Sequence, residues 1–373
     1  MARTTVRGRL VLDDRVAVGT LDVEDELIAA VELADASGDE ALPFIAPGFV
    51  DVHVHGWGGF DAMGGAAALD GMARGLLRNG VTSFLPTAVT APLATLGAFA
   101  ASVRAWHPGA PADGAEPLGF NLEGPFLADA KRGAHDGAHL RAPADVAATD
   151  LEPLLDGLRV VTVAPELPGA LDLIQSLAGR GVVVSLGHSA ATERQARAGY
   201  AAGARSTTHL FNAMTGVDHR SPGLAVAGLL EDDAWVELIA DGIHVEPAVW
   251  PLIRRLKPAD RVLLVSDALS ISGTDVAQGS IGGLKVEVRG GRVTLAGTST
   301  LAGCVVGLDT GVRNLVLSGI PLPDAVAAAT RVPLGLLGVD DRGRIAARQR
   351  ADLVELDERY RVRRVMRSGA WFA

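Results

Sequence analysis

Two histidines one residue apart, His53 and His55, stand where a predicted strand runs into a glycine-rich loop. Residues 49–56 alternate apolar and polar side chains and follow a Pro-Gly turn signal, a pattern that is typical of a strand. Because successive side chains of a strand point to opposite faces, the two imidazoles share a face and lie about 7 Å apart. Such a pair can converge on one metal ion, but it also occurs without one, so the prediction depends on the rest of the chain.

Further polar side chains follow other apolar runs in the same way. They are Glu123, His188, His209, His244 and Asp267. Taken alone, Glu123 also suits a surface turn, His188 a core histidine and Asp267 a helix N-cap. Their shared position at the ends of predicted strands favours a single site instead. Imidazole and carboxylate groups bind Zn, Fe, Mn or Co, so the sequence predicts a centre for one or two divalent ions.

Strand-like and helix-like segments alternate along the chain and predict the frame that positions these side chains. The predicted strands are 49–53, 83–86, 118–122, 160–163, 182–186, 206–209, 235–240 and 262–266. The predicted helices are 66–78, 92–106, 144–155, 170–179, 192–201, 222–230 and 247–256, and after a hairpin at 283–294 also 305–317 and 323–330. Eight strands that alternate with helices predict an α/β fold, a parallel (β/α)8 barrel whose carboxyl strand ends face one cavity.

The two ends of the chain predict short strands separated by turns. The candidate segments are 6–12, 16–23 and 27–33 near the amino end, and 351–357 and 361–371 near the carboxyl end. Neither group can bury a core alone, so we expect the two to pair. The sequence therefore predicts a small β-sandwich domain of residues 1–46 plus 340–373, and a catalytic barrel of residues 47–339.

The composition argues against several classes of protein. The chain has 373 residues, 48% of them hydrophobic, with a net charge of −10 and no long basic run, which argues against nucleic acid or an anionic membrane as partner. One cysteine, Cys304, permits no intrachain disulfide and favours a reducing compartment. The first residues lack an apolar leader and no membrane-length apolar run occurs, so we expect a cytoplasmic protein.

Short motifs along the chain resemble a known family. They are PGFVDVHVHGWGG, NLEGPFL, KRGAHDGAH, SLGHS, THLFNAM, RSPGLAVAG, DGIHV, VSDA and TLAG, which run from Pro47 to Gly303. With RADLVELD near the carboxyl end, they resemble the amidohydrolase superfamily and, within it, the family of N-acetylglucosamine-6-phosphate deacetylases. The resemblance covers nearly the whole chain, and NLEGPF, THLFNAM and DGIHV together are its most specific part.

The resemblance implies a metal-binding role for five of these residues. Glu123, His188 and His209 would bind the main ion. His53 and His55 would complete a second site that Glu123 bridges. Some members of the family lack the first-strand histidines and keep one ion; both are present here, so we expect two. Zinc is the first candidate, with iron, manganese or cobalt as alternatives.

The resemblance also implies how the sugar and the reaction are handled. Asp267 would be the general base and acid. The residues that hold the sugar, meet its phosphate or hydroxyls, or line its pocket would be His135, Asn212, Ala213, Arg220, Asp241, His244, Leu301, Ala302 and Gly303. In the family part of this site can come from the second subunit of a homodimer, which we therefore expect here.

Elementary chemistry connects these residues to an amide hydrolysis. A divalent ion lowers the pKa of bound water from about 15.7 to roughly 7 and so supplies hydroxide at neutral pH. Asp267 would accept the proton and deliver one to the departing amine, while His244 would hydrogen-bond to the acetyl carbonyl as it becomes an oxyanion. Arg220 would clamp a phosphate through two hydrogen bonds, or else lie solvated in its loop.

The residues and the resemblance together predict a metal-dependent deacetylase of N-acetyl-D-glucosamine 6-phosphate, acting in amino-sugar catabolism or cell-wall recycling. One alternative is an amidohydrolase for another N-acetylated sugar or a cyclic amide, which use of the unphosphorylated sugar would favour. The fourth predicted strand runs into Ala164-Pro165-Glu166. It supplies no lysine, so we do not expect the carboxylated-lysine bridge of some relatives. Another alternative is a protein that binds metal or sugar phosphate without turnover.

Overall fold

Strands and helices alternate along the chain in the computed structural model, which describes residues 3–34 and 42–372. The strands are β1 (Arg3–Val11), β2 (Val16–Glu24), β3 (Leu27–Leu33), β4 (Phe44–Pro47), β5 (Phe49–Val54), β6 (Gly56–Trp57), β7 (Phe60–Asp61), β8 (Val81–Val89), β9 (Glu116–Pro117), β10 (Phe120–Glu123), β11 (Leu158–Val163), β12 (Val183–Leu186), β13 (Ser206–Thr207), β14 (Trp235–Leu238), β15 (Val262–Leu264), β16 (Gln278–Ile281), β17 (Leu284–Arg289), β18 (Arg292–Leu295), β19 (Leu353–Leu356), β20 (Val362–Arg367) and β21 (Ala370–Phe372).

The helices fall between the strands of the middle part of the chain and after them. They are α1 (Ala66–Arg78), α2 (Leu93–Trp106), α3 (Ala148–Leu155), α4 (Ala170–Gly179), α5 (Glu193–Ala201), α6 (Leu224–Leu230), α7 (Trp250–Leu256), α8 (Leu308–Leu317), α9 (Leu322–Ala328) and α10 (Arg331–Leu337). Short 3-10 turns lie at His107–Gly109, Asp129–Lys131, Gly137–His139, Pro143–Asp145, Pro247–Val249 and Ala259–Arg261. In the described residues, no helix combines the length and apolar character needed to cross a membrane.

Eight parallel strands form the predicted barrel, in the order β5-β8-β10-β11-β12-β13-β14-β15. Apolar runs such as β11 are buried on both faces, as strands of parallel sheets covered by helices are. Beyond the last strand the barrel is closed by backbone hydrogen bonds, since the Asp267 N–H donates to His53 O at 2.9 Å and the His55 N–H to Ala268 O at 2.8 Å. The (β/α)8 prediction is therefore confirmed.

The helices that cover the barrel pack apolar faces against it. The apolar side chains of α1 recur at helical spacing and are buried, among them Leu69, Met72 and Leu76. The first helical residue of α5 follows Thr192, which forms a capping box with Gln195. The predicted bounds of α1 and α4 match the structure, whereas α10 was not predicted because its short sequence contains both Pro and Gly.

Both ends of the chain contribute to a seven-stranded sheet of order β21-β20-β19-β4-β1-β2-β3. β4 pairs in parallel with β1 and antiparallel with β19, so the expected pairing of the two ends is present. The domain bounds drawn from the sequence stay a prediction. Residues 1–2, 35–41 and 373, which those bounds include, lie outside the described residues.

A three-stranded antiparallel sheet, β16-β17-β18, follows the last barrel strand. The predicted hairpin is present, with Gly290 and Gly291 at φ 57° and 81° in the turn between β17 and β18. Ile281 and Val286 of this sheet are buried in one cluster with Leu269, which follows the last barrel strand. The sheet therefore lies beside the carboxyl ends of the barrel strands and forms one side of the opening above the barrel.

Candidate active site

The polar residues predicted from the sequence lie together at the carboxyl ends of the barrel strands. His53 lies within β5, and Glu123 is the last residue of β10. His188, His209 and Asp267 lie just past the ends of β12, β13 and β15. All five are buried. The barrel thus brings into one cluster residues that are up to about 200 positions apart in the sequence.

The backbone at these strand ends adopts a conformation that side chains other than glycine rarely take. The φ angle is 45° at His188, 28° at His209 and 50° at Asp267. Such left-handed positions cost on the order of 1–3 kcal/mol each and persist where the surroundings hold them. At Asp267 two backbone hydrogen bonds fix this conformation: its N–H donates to His53 O, and its carbonyl accepts from the Cys304 N–H, both at 2.9 Å. Strain of this kind clusters at functional sites, which is where it occurs here.

Glu123 occupies the centre of the cluster. Its carboxylate oxygens lie 2.9–3.4 Å from Nε2 of five imidazoles, those of His53, His55, His135, His188 and His209. Asp267 adds a second carboxylate, whose Oδ1 lies 3.2 Å from Nε2 of His55 and 3.7 Å from that of His53. The sequence placed His135 among sugar contacts, and the structure brings it against Glu123.

Outer hydrogen bonds hold three of the imidazoles with Nε2 turned towards the cluster. The Nδ1–H of His55 donates to Thr87 O at 3.1 Å, and that of His188 donates to Lys131 O at 2.8 Å. His53 Nδ1 lies 3.0 Å from Glu237 Oε2 and donates to it in the same way. A ring that donates from Nδ1 keeps its Nε2 lone pair for a metal ion, the usual arrangement of histidine ligands.

The cluster fits a divalent cation. The buried Nε2 atoms of His53 and His55 lack a hydrogen-bond partner among the described residues, although carboxylate oxygens lie within 3.4 Å of them. Two groups of residues could each hold an ion, because within each group one ligand atom per residue lies within 4.8 Å of the others. The first group is His53, His55, Glu123 and Asp267, and the second is Glu123, His135 and His188, so Glu123 belongs to both. Orphaned donors facing buried carboxylates are what a bound cation would satisfy.

The pKa values of the cluster follow from burial and from the charge at its centre. Burial lowers the pKa of His188 to about 4, so this ring is neutral at neutral pH. Burial also disfavours the charged form of His55, but the adjacent carboxylates of Asp267 and Glu123 outweigh it and raise the pKa to about 9, so a cation that binds at Nε2 would displace a proton from this ring. Burial acts to raise the pKa of Glu123, yet the imidazoles, His53 foremost, hold it well below its usual range. The central carboxylate therefore stays ionised.

Glu237 belongs to the site and was not predicted from the sequence. It lies in β14 between apolar neighbours and is fully buried. Its Oε2 accepts from Nδ1 of His53 at 3.0 Å and from the backbone N–H of His209 at 3.1 Å, while Oε1 has no partner in the described structure. The sequence did contain a signal for Glu237. Side chains alternate between the two faces of a strand, and this alternation directs Glu237 into the barrel interior.

We expect the substitution Glu237→Gln to weaken metal binding by about tenfold, because the amide keeps both acceptor contacts but removes the charge behind the His53 ring. Titration of the metal-free protein with Zn²⁺ against a chromogenic chelator would measure this. Thermal unfolding of the metal-free variant serves as the control and should match the unsubstituted protein within a few degrees. Unchanged affinity for every ion bound would contradict the role of Glu237.

A cavity of about 370 Å3 opens above the cluster. The predicted site residues that line it are Glu123, His135, His188, His209, Asn212, Ala213, His244, Asp267, Leu301, Ala302 and Gly303. Lys131, Phe211, Ile281 and Thr300 also line it and were not singled out from the sequence. His53 and His55 do not line the cavity, and Arg220 lies exposed on its loop, where its Nε donates to His219 Nε2 at 3.0 Å.

The cavity wall at Gly303 requires glycine. Its φ is +64°, and a Cβ there would lie 2.8 Å from Asp267 O and equally close to the Leu269 side chain. The segment Leu301–Gly303 therefore passes close to the backbone of Asp267 only because residue 303 has no side chain.

Two histidines of the wall differ in the proton that they present. The Thr90 N–H donates to Nδ1 of His135 at 3.3 Å, which leaves the ring proton on Nε2. His244 instead donates its Nδ1–H to Asp241 Oδ2 at 2.7 Å, so a neutral His244 presents an acceptor at Nε2. His135 thus carries a hydrogen-bond donor that faces Glu123 Oε2 at 3.2 Å, and His244 presents an acceptor supported by a carboxylate.

The chain is similar to known proteins along nearly its whole length. The Amidohydrolase family model matches residues 44–372. The N-acetylgalactosamine-6-phosphate deacetylase of Escherichia coli O157:H7 is 39% identical over 358 residues, which cover 94% of this chain and 93% of that protein. The N-acetylglucosamine-6-phosphate deacetylase of Bos taurus is 39% identical over 369 residues, which cover 94% and 88%.

A solved structure is similar over the same extent. It is an aspartate-to-alanine variant of N-acetyl-D-glucosamine-6-phosphate deacetylase from Mycobacterium smegmatis, in complex with N-acetyl-D-glucosamine 6-phosphate. It superposes with a TM-score of 0.90 at 33% identity, and the match covers 100% of this chain and 99% of that chain.

Proposed function

Since the chain belongs to the amidohydrolase family, we propose that it hydrolyses the acetamide of N-acetyl-D-glucosamine 6-phosphate to D-glucosamine 6-phosphate and acetate. The observation that carries this proposal is the cavity floor, where Glu123 and its imidazoles meet Asp267. The names of the similar proteins support the substrate, since the bovine relative is an N-acetylglucosamine-6-phosphate deacetylase.

The proposed cofactor is one or two divalent ions, with zinc as the first candidate. Glu123, His188 and His209 would hold one ion, and His53 with His55 a second that shares Glu123. An ion bound there would polarise the acetyl carbonyl and lower the pKa of coordinated water from about 15.7 to roughly 7. Their burial keeps bulk water from competing for these donors.

Asp267 is the proposed general base and acid. Burial acts to raise its pKa, but the adjacent imidazoles of His55 and His53 outweigh it and hold the pKa below its usual range, so the carboxylate is ionised at neutral pH. It accepts a proton from the attacking water and returns one to the leaving nitrogen, which otherwise would depart as an unstable amide anion. Its position on the cavity floor supports both transfers.

His135 and His244 are proposed to contact the substrate in different ways. Nε2 of His135 lies 3.2 Å from Glu123 Oε2; once a bound ion engages Glu123, the Nε2–H would be free for the acetyl carbonyl oxygen as it gains negative charge. The Nε2 of His244, with its partner Asp241 behind it, suits a sugar hydroxyl. The oxyanion role expected of His244 from the sequence requires its protonated form and stays a prediction.

The remaining proposed contacts hold the sugar ring. Asn212, Ala213 and the segment Leu301–Gly303 line the cavity and would contact the ring. Arg220 lies outside the cavity of its own chain, so it would meet the phosphate only in the cavity of a second subunit. The homodimer, in which Arg220 would cross the interface, is proposed from the family resemblance alone.

N-Acetyl-D-galactosamine 6-phosphate is a second candidate substrate. The relative from Escherichia coli O157:H7 is an N-acetylgalactosamine-6-phosphate deacetylase, and its identity to this chain is as high as that of the bovine relative. The two sugars differ only in the orientation of one hydroxyl. The metal cluster and Asp267 suit both, so the ring contacts decide between them.

We expect acetate release from N-acetyl-D-glucosamine 6-phosphate, with kcat/KM about 10- to 100-fold above that for unphosphorylated N-acetyl-D-glucosamine, because a charge-assisted contact to the phosphate is lost with the latter. The assay would include the galactosamine epimer and would quantify metal on the same sample. Faster turnover of the epimer would favour the second candidate. No acetate from either phosphosugar at full metal occupancy would contradict the proposed function.

A further inference from the structure

A phosphosugar brings further negative charge to a cavity that two carboxylates already line. A sugar phosphate carries about −1.5 to −2 charges at pH 7. Glu123 and Asp267 line the cavity, and the chain as a whole carries a net charge of −10. A bound divalent ion offsets the charge at the acetamide end, but the phosphate is attached to a different part of the sugar. A second, permanent cation in the wall would favour binding there.

Lys131 is such a cation. It is half-buried, and among the cavity-lining residues of the described structure it is the one lysine or arginine. Its ammonium forms neither a hydrogen bond nor an ion pair within residues 3–34 and 42–372. The nearest carboxylate in sequence, Asp129, pairs instead with Arg132 at 2.5 Å. The Lys131 ammonium is therefore available to a ligand.

The backbone of Lys131 is fixed to the metal-binding cluster. Its carbonyl accepts from Nδ1 of His188 at 2.8 Å, and its N–H donates to Ala128 O at 2.9 Å. Two residues further on, a Cβ at Gly133 would lie 3.3 Å from the His188 ring and 3.8 Å from Ala213 Cβ. The segment that carries Lys131 thus packs against the loop of Asn212 and Ala213, the proposed sugar contacts.

We propose that Lys131 binds the 6-phosphate group of the substrate in its own chain, by a charge-assisted hydrogen bond from its ammonium. This inference rests on the proposed function, because it presupposes a phosphorylated sugar. Arg220 cannot bind a phosphate in the cavity of its own chain, since it is exposed and lies outside that cavity. Lys131 completes the site from within, whatever a second subunit adds.

The test compares Lys131→Met with Arg132→Met, which removes the neighbouring, exposed cation that does not line the cavity. Binding of D-glucosamine 6-phosphate to the metal-loaded protein would be measured by calorimetry. We expect the dissociation constant to rise about 10- to 100-fold in Lys131→Met and to change less than about twofold in Arg132→Met. Lys131→Arg, which keeps the charge, should recover most of the affinity.

Kinetics separate a phosphate contact from a structural role. In Lys131→Met the ratio of kcat/KM for the phosphorylated substrate to kcat/KM for the unphosphorylated one should fall about 10- to 100-fold, mainly because KM for the phosphorylated substrate rises. Equal losses for both substrates, or an unchanged dissociation constant for D-glucosamine 6-phosphate, would overturn the inference. The proposed function fails separately, if the unsubstituted protein releases no acetate, because the calorimetric comparison needs no turnover.

Discussion

Replacing Asp267 by asparagine is expected to lower kcat by about 10²- to 10⁴-fold while the barrel stays folded. The amide keeps the size and the hydrogen-bonding reach of the carboxylate but can neither accept the proton of the attacking water nor protonate the leaving amine. The backbone at this position is held by Asp267 N–H to His53 O and by Cys304 N–H to Asp267 O, both independent of the side chain. Initial rates of acetate release at saturating phosphosugar would measure the loss.

Metal content must be measured on the same sample, because Asp267 Oδ1 lies 3.2 Å from Nε2 of His55 and belongs to a group of potential ligands. The variant Asp309→Asn is a suitable control, since Asp309 is a half-buried carboxylate in the first turn of α8 outside the cavity lining. Near-normal turnover of Asp267→Asn with full metal would exclude Asp267 as the general base.

The second large effect is expected from Glu123→Gln, which should lose bound metal and lower activity by more than about 1,000-fold. Glu123 is shared by both groups of potential ligands, and its carboxylate lies within 3.4 Å of five imidazole nitrogens. An amide has similar shape but cannot supply the negative charge that these rings and a cation require. Metal analysis after dialysis, together with acetate release, would measure both losses.

Glu166→Gln is the matched control, because it makes the same chemical change just past the end of β11, a neighbouring barrel strand. Glu166 Oε2 accepts from Ser189 Oγ at 2.7 Å and Oε1 accepts from the Ala190 N–H at 2.5 Å. In glutamine the amide oxygen keeps the contact to the Ala190 N–H, and the amide NH2 can donate to Ser189 Oγ. We expect this variant to keep its metal. If Glu123→Gln retained its full metal content, the proposal that Glu123 is the shared metal ligand would be wrong.

The sequence predicted the barrel and its cluster for one physical reason. In a parallel barrel, each apolar run ends on the same side, so a polar residue at the end of a run is directed to the same place as every other. That reasoning sufficed for His53, Glu123, His188, His209 and Asp267, which the structure brings together. The loop residues could be assigned only through a family resemblance, because a loop has no periodicity to fix its direction.

Three residues could not be placed from the ends of the predicted strands alone. Glu237 lies inside a strand rather than at its end, and its role appears only once His53 is placed beside it. Lys131 lies in a short turn whose approach to His188 depends on tertiary contacts. For Arg220 the sequence left open a phosphate contact or a solvated position in its loop; a single chain leaves it outside the cavity, and its contact to the phosphate stays a prediction.

The place of β4 in the terminal sheet has a consequence for how the chain folds during synthesis. One neighbour of β4, β1, is made just before it, but the other, β19, follows about 300 residues later. At roughly 5–20 residues per second, a ribosome needs about 15–60 s to reach β19. Throughout that interval β4 has an open edge, which invites pairing with other nascent chains. We expect chains that stop before β19 to aggregate, even though all eight barrel strands have already been made.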